Sequence, residues 1–338
     1  MRKLRLANLP TKIERMVRWS AEKGVNIYIK RDDQTGSEWN GNKIRKLEFA
    51  IYEARDQGCD LLITCGGIQS NHCRATVAAA TRLGMKAAVL LRIEEEPPLE
   101  GNYFLDRLMG ADVRFCTRPE YGNNRTEIME EMAQNYRKEG YKPYIIPEGA
   151  SYDVGALGYY HCMKEIVGQE KEMGITFDTI VVATGSGGTH TGLTLANMLL
   201  GYGKRVVGMA VCDDNAYFKN VAMQMTPGAL NYLVEHGEIG REQAEEFAAK
   251  VSPSDFEYID GYVGVGYAKS RPEELEHIKR IAALEGIVFD PVYTGKATYG
   301  LDCELRKGGA FEESNNILFI HTGGIFGLFP VSRSFRLE

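Results

Sequence analysis

The chain has 338 residues, 44% of them hydrophobic and 25% charged, the composition of an ordinary soluble globular protein long enough for two domains or one large α/β domain. A formal net charge of −6 leaves no basic stripe to displace counterions, which excludes nucleic acid as the main partner. Neither a secretory h-region nor a membrane span is visible, and seven cysteines without a C-x-x-C pair point to reduced thiols in the cytoplasm, away from a disulfide framework or a metal.

The first informative element is the strand-like run Asn26 to Lys30, followed by the turn Asp32-Asp33-Gln34-Thr35-Gly36. Next comes Gly41 to Phe49, reading G-N-K-I-R-K-L-E-F, where a polar loop becomes a helix. Lys43 and Lys46 sit three apart there, so both face one point at the helix's first turn, where one amine can react while the other neutralises an anion. Taken alone, N-K-x-x-K at a helix start is usually a solvated surface. The following stripe of Ile44, Leu47, Ile51 and Ala54, ending at Gly58, anchors the loop on its far side, and such loops display reactive groups.

From Asp60 onwards, apolar runs alternate with helical patterns. The runs are Leu61 to Thr64, Ala87 to Leu91, Val113 to Cys116, Tyr144 to Pro147, Thr179 to Ala183, Val206 to Val211 and Ile317 to His321. Their near-continuous apolar character predicts strands buried on both faces of mostly parallel sheets, hence an α/β fold. Helices are expected at Asn71 to Leu83, Arg125 to Glu139, Tyr159 to Glu172 and Glu273 to Glu285. The four strands from Asp60 to Pro147 form one candidate lobe and the remainder another.

Two loops follow strands and open helices. Gly66-Gly67-Ile68-Gln69-Ser70-Asn71-His72 offers free backbone N–H groups to a carboxylate or phosphate, or is a simple turn with Ser70 or Asn71 as N-cap. Gly185-Ser186-Gly187-Gly188-Thr189-His190-Thr191-Gly192 fails the dinucleotide fingerprint at His190 and the P-loop at Leu193. What remains is a glycine and hydroxyl loop suited to a cofactor monophosphate. Near the end, Asp290-Pro291-Val292-Tyr293-Thr294-Gly295-Lys296 and Ile320-His321-Thr322-Gly323-Gly324 add hydroxyls beside strand ends, where open α/β sheets bind ligands.

Together, G-N-K-I-R-K-L-E-F, G-G-I-Q-S-N-H, T-G-S-G-G-T-H-T-G, D-P-V-Y-T-G-K and I-L-F-I-H-T-G-G resemble, in matching order, the family of D-cysteine desulfhydrases and 1-aminocyclopropane-1-carboxylate deaminases. These are pyridoxal 5'-phosphate enzymes of the tryptophan synthase β-like fold (fold type II), with two open twisted, mostly parallel sheets and flanking helices. The resemblance implies a larger cofactor-binding domain of residues 1–45 and 155–338, a smaller domain of 46–154, and a homodimer. It makes Lys43 the Schiff-base lysine, gives Lys46, Ser186, Gly187, Gly188 and Thr189 to the cofactor phosphate, Asn71 to the pyridoxal 3-oxygen and Thr322 to the pyridine nitrogen. Ser70, Asn71 and His72 would take the substrate carboxylate, Tyr267 and Tyr293 would line the reacting side, with Ser70 also catalytic, and Thr294 would touch substrate.

In the deaminases, glutamate typically follows the catalytic tyrosine and leucine stands at the Thr322 position. Thr294 and Thr322 therefore favour elimination of a sulfur group, with D-cysteine as substrate. Ring-opening deamination, or a non-catalytic ligand-binding protein, is the weaker reading. Lys269 and Arg271, in a loop that departs from the desulfhydrase pattern, raise L-cysteate sulfo-lyase activity as an alternative, because cations suit a sulfonate leaving group.

Overall fold

The apolar runs become strands of two mostly parallel sheets in the computed structural model, which describes residues 2–337. The chain opens with β1 (Ile13–Arg15), α1 (Val17–Lys23), β2 (Asn26–Lys30) and α2 (Asn42–Asp56). A four-stranded sheet follows, made of β3 (Leu61–Gly67), β4 (Lys86–Ile93), β5 (Asp112–Thr117) and β6 (Pro143–Ile145), with α3 (Asn71–Arg82), α4 (Gly101–Leu108) and α5 (Arg118–Lys138) between them. Its order is β5-β4-β3-β6, all parallel.

Beyond it lie α6 (Asp153–Met173), β7 (Thr179–Thr184), α7 (Gly188–Leu199), β8 (Arg205–Ala210), α8 (Asn215–Glu235), α9 (Arg241–Lys250), β9 (Glu257–Ile259), α10 (Pro272–Glu285), α11 (Thr294–Glu304) and β10 (Asn316–Ile320). The second sheet has the order β1-β2-β10-β7-β8-β9, in which only β1 runs antiparallel. All six residues of β7 are buried, as expected of a strand covered by helices on both faces.

Helix α2 departs from the expected single apolar stripe. Ile44, Leu47, Ile51 and Ala54 enter the core of the four-stranded sheet, while Phe49 joins Tyr28, Tyr159 and Tyr160 in the core of the other. The helix is wedged between both cores, so even Arg45, Lys46 and Glu48 are buried. Gly158 of α6 makes this wedge possible, because a Cβ there would stand 2.6 Å from the backbone of Arg45. Gly158→Ala is accordingly expected to destabilise the protein by about 1 to 3 kcal/mol through overpacking. A thermal or urea midpoint equal to the parent's would refute that contact.

Two helices begin earlier than the sequence pattern predicts. α5 starts at Arg118, where Thr117 Oγ1 accepts from the Glu120 amide and the Glu120 carboxylate takes the Thr117 amide at 2.7 Å, a reciprocal cap that overrides the loop-like Gly122-Asn123-Asn124. α6 starts at Asp153, so the short turn 148–150 leads almost directly into it. Among the described residues, no helix is long and apolar enough to cross a membrane, and all seven cysteines are free.

Candidate functional site

A cavity opens where the carboxyl ends of β3, β7 and β10 face the amino end of α2. Among the residues that line it are Lys43, Ser70, Asn71, His72, Ser186, Gly187, Thr189, Tyr267, Tyr293 and Thr322, so most residues singled out in the sequence meet in one place. Their convergence follows from topology: all but Tyr267, which comes from the loop before α10, lie just past the end of a strand or in the first turn of a helix, at the facing edges of the two sheets.

Lys43 is the second residue of α2, and its Nζ lies 3.4 Å from the Gly149 carbonyl. Burial lowers its amine to about 8, partly opposed by Glu148. The loop before it is set by Gly41, whose φ of +103° and whose contact with the Thr322 carbonyl, 2.5 Å from a would-be Cβ, admit only glycine. The Asn42 amide then donates to that same carbonyl at 3.1 Å, which brings Thr322 beside Lys43. Gly149 (φ +67°) fills the space between Lys43 and Ser186, and a Cβ there would sit 2.5 Å from Ser186 Oγ.

Lys46 and Gly188 are not at the cavity wall. They form the layer beneath it, because Lys46 Nζ is drawn to the Gly149 carbonyl at 3.3 Å and to Ser151 Oγ at 3.2 Å. Ser151, missed in the sequence, ties this layer together. Its hydroxyl lies 2.7 Å from Ser186 Oγ and accepts from the Gly188 amide at 3.4 Å. The only signal for it was a Glu-Gly-Ala-Ser turn after a strand. Burial, reinforced by Lys43, pushes the Lys46 amine well below its ordinary value. Among the described residues neither lysine has a carboxylate partner within ion-pair distance.

On the opposite side, Ser70 caps α3 by accepting from the Cys73 amide at 3.2 Å, which leaves its hydroxyl proton free to donate. The ring of His72 is engaged elsewhere. Thr64 Oγ1 gives its proton to the Ile146 carbonyl at 2.7 Å, so the ring N–H of His72 is the Nε2–H that meets Thr64 at 2.8 Å. Burial, together with Lys43 and Lys46, holds that ring neutral, and its Nδ1 has no hydrogen-bond partner among the described residues. The side chain therefore has no donor for a carboxylate; what His72 offers is its backbone N–H in the first turn of α3.

Thr294 also departs from expectation. It is fully buried, and its hydroxyl donates to Asp290 Oδ1 at 2.7 Å and accepts from the Asp290 amide at 2.9 Å, closing the first turn of α11. It cannot touch substrate. The same Asp290 carboxylate accepts from the amides of Val292 and Tyr293, both at 2.9 Å, and so fixes the Tyr293 turn. Tyr293 Oη meets Tyr267 Oη at 2.5 Å. Burial pushes Tyr267 up to about 12 and Tyr293 well above its ordinary value, so the pair holds both protons at neutral pH.

Arg271 faces elsewhere. Its guanidinium pairs with Glu274 at 2.9 Å and Glu273 at 3.4 Å at the start of α10, the usual fate of a cation beside acidic first-turn residues. Lys269 is exposed, in an outer cleft beyond Tyr267.

These residues fit the group that the resemblance implies. The buried Lys46 amine without a carboxylate partner, two serine hydroxyls and the amino end of α7 suit a phosphate. The amide of Asn71 and the hydroxyl of Thr322, which has no partner among the described residues, suit the polar edges of a pyridine ring.

Comparison with known proteins bears on the same point. The family described as pyridoxal-phosphate dependent enzyme matches residues 4–323. The bifunctional D-cysteine desulfhydrase/1-aminocyclopropane-1-carboxylate deaminase, mitochondrial, of Arabidopsis thaliana is 41% identical over 332 residues, covering 96% of this chain and 78% of that protein. A D-cysteine desulfhydrase of Yersinia enterocolitica is 37% identical over 334 residues, covering 97% and 95%. The crystal structure of a 1-aminocyclopropane-1-carboxylate deaminase homologue shares the fold with a TM-score of 0.83 at 38% identity, over 99% of this chain and 95% of that one. A pyridoxal 5'-phosphate-dependent aspartate racemase, at 18% identity and a TM-score of 0.61 over 93% of this chain and 90% of that one, shares the fold alone. The chain belongs to the pyridoxal-phosphate dependent enzymes, in the family of D-cysteine desulfhydrases and 1-aminocyclopropane-1-carboxylate deaminases.

Proposed function

We propose that this enzyme eliminates sulfide from D-cysteine, giving pyruvate, ammonia and hydrogen sulfide once water has hydrolysed the released enamine. The observation that carries this is the placing of a half-buried amine, Lys43, and a protonated hydroxyl pair, Tyr267–Tyr293, on the walls of one cavity. Elimination needs such a pair, a base for the α-proton and an acid for the leaving sulfur. The names of the Arabidopsis and Yersinia relatives support the same substrate.

Pyridoxal phosphate, when bound, supplies the electron sink that makes the α-hydrogen acidic. In this reading Lys46, Ser186, Gly187, Gly188 and Thr189 hold its phosphate, Asn71 meets its phenolic oxygen and Thr322 its ring nitrogen. The neutral Thr322 hydroxyl would not hold that nitrogen protonated as a carboxylate would. Ser70 and the backbone N–H groups of Asn71 and His72 take the substrate carboxylate. Lys43 Nζ, lowered by burial, accepts the α-proton. Tyr293 Oη gives its proton to sulfur and is steadied by Tyr267. Seven free thiols suit the reducing cytoplasm proposed for the protein.

The alternative of a sulfonate leaving group is left with Lys269 alone, since Arg271 is committed to Glu273 and Glu274. Pyruvate release should be measured for both enantiomers of cysteine and for cysteate, alongside 2-oxobutanoate release from 1-aminocyclopropane-1-carboxylate. D-Cysteine is expected to show the highest kcat/KM. A higher value for the cyclopropane substrate would assign the protein to the deaminases.

A further inference from the structure

Asn71 borders the cavity with an amide whose two ends are chemical opposites, an acceptor oxygen and a donor NH2. Which end faces inward is decided by a relay that starts at Arg74 of α3, a fully buried side chain. A guanidinium has no lone pair to offer, so the Asn102 atom that Arg74 Nε meets at 2.7 Å has to be Oδ1. Asn102 Nδ2 therefore lies on the other side, donating to the Gln69 carbonyl at 2.9 Å and to Asn71 at 3.1 Å. A donor in that position requires the oxygen of Asn71, and Arg74 Nη2 reaches the same oxygen at 3.4 Å. The NH2 of Asn71 is left for the cavity, with no acceptor among the described residues.

Arg74 is fixed in turn. Nη2 donates to the backbone and side-chain oxygens of Asn40 at 3.1 and 3.0 Å, Nη1 donates to the Glu38 carbonyl, and the guanidinium lies over the Phe326 ring, 4.9 Å from its centroid. The relay thus runs from the loop preceding Lys43, through α3 and α4, to the amide at the cavity wall.

We propose that Arg74 and Asn102 are positioning residues that lock Asn71 with its NH2 towards the phenolic oxygen of the bound cofactor. The inference rests on the reading of Asn71 given above. A donor on that oxygen favours its charged form, whereas a carbonyl oxygen turned towards it would disfavour it, so the orientation of one amide sets a proton equilibrium.

The test is a pH titration of the visible absorption band of the holoenzyme, which needs no turnover. Asn102→Asp is isosteric and, in its ionised form beside Arg74, offers Asn71 only acceptors and turns the amide over. Asn102→Ser shortens the side chain so that no donor reaches Asn71, adds no charge, and serves where the aspartate variant does not fold. Asn71→Ala removes the amide altogether. The other titratable groups around the cavity, Lys43 and Lys46 of α2, His72 of α3, Glu148, His190 of α7, Tyr267 and Tyr293, are the same in all variants, as are Arg74 and Asp106 beside Asn102. The midpoint is expected to rise by about one pH unit in Asn71→Ala, to rise also in Asn102→Ser, and to rise furthest in Asn102→Asp. A rise in Asn71→Ala with none in either Asn102 variant overturns the relay. No rise in Asn71→Ala overturns the reading of Asn71 itself, and the relay with it.

Discussion

Lys43→Ala is expected to lose its visible absorption band and at least about a thousandfold in turnover, since covalent attachment and proton transfer are both removed. The nearest substitute is Lys46, one helical turn on, but its amine is fully buried below the cavity wall. It is held by the Gly149 carbonyl and Ser151, and stands only 3.0 Å from the position of a Gly188 Cβ. Moving it into the cavity would strip both acceptors from a desolvated amine. Absorption spectra and pyruvate assays of the reconstituted variant decide the matter. A retained band with turnover within tenfold of the parent would shift the role to Lys46.

What was legible in the sequence was local. Strand–glycine–hydroxyl–helix stretches identify themselves through composition, and parallel topology then brings their ends together without further information. The helical spacing of Lys43 and Lys46 was readable as well, but not that one amine borders the cavity while the other lies beneath it, which depends on Ser151 and Gly149 arriving from beyond β6. Thr294 shows the converse error. A hydroxyl next to the cavity tyrosine invites a substrate role, yet a threonine at the first position of a helix is first of all a partner for its own cap, here Asp290. Arg271 was misread for a similar reason: two glutamates in the next turn claim its charge. The Arg74–Asn102–Asn71 relay had no sequence signal, because its members lie on different elements and are ordered only by which atoms can donate.

The sequence turn before Lys43 also hides the largest stability effect. Asp32 is fully buried, and its carboxylate accepts from Arg45 Nε and Nη2, both at 2.8 Å, from Thr11 Oγ1 at 2.7 Å and from Tyr159 Oη at 2.5 Å. Arg45 continues to Glu165 at 2.9 Å, and Glu165 to Lys30 at 2.7 Å. Asp32→Ala leaves the Arg45 guanidinium buried with two of its five hydrogen bonds gone, a change expected to cost about 3 to 5 kcal/mol. Burial by itself would raise the Asp32 carboxyl, but Arg45, Lys30 and Tyr159 outweigh it and hold the group below its ordinary value. The sign follows from that direction: the contribution is fully present above the unfolded carboxylate value near about 4 and is lost as pH falls through the lower, folded value. The parent should therefore lose stability on acidification below about pH 4, and Asp32→Ala should lack that part of the loss. Because the Asp32 carbonyl also accepts the Gly41 amide at 3.0 Å, loosening this turn releases the loop that presents Lys43. Asp32→Asn keeps the shape and one acceptor, so its loss should fall between parent and alanine variant. Urea unfolding at pH 7 measures the difference directly, and a loss under about 1 kcal/mol for Asp32→Ala would show that the network contributes no more than a surface pair.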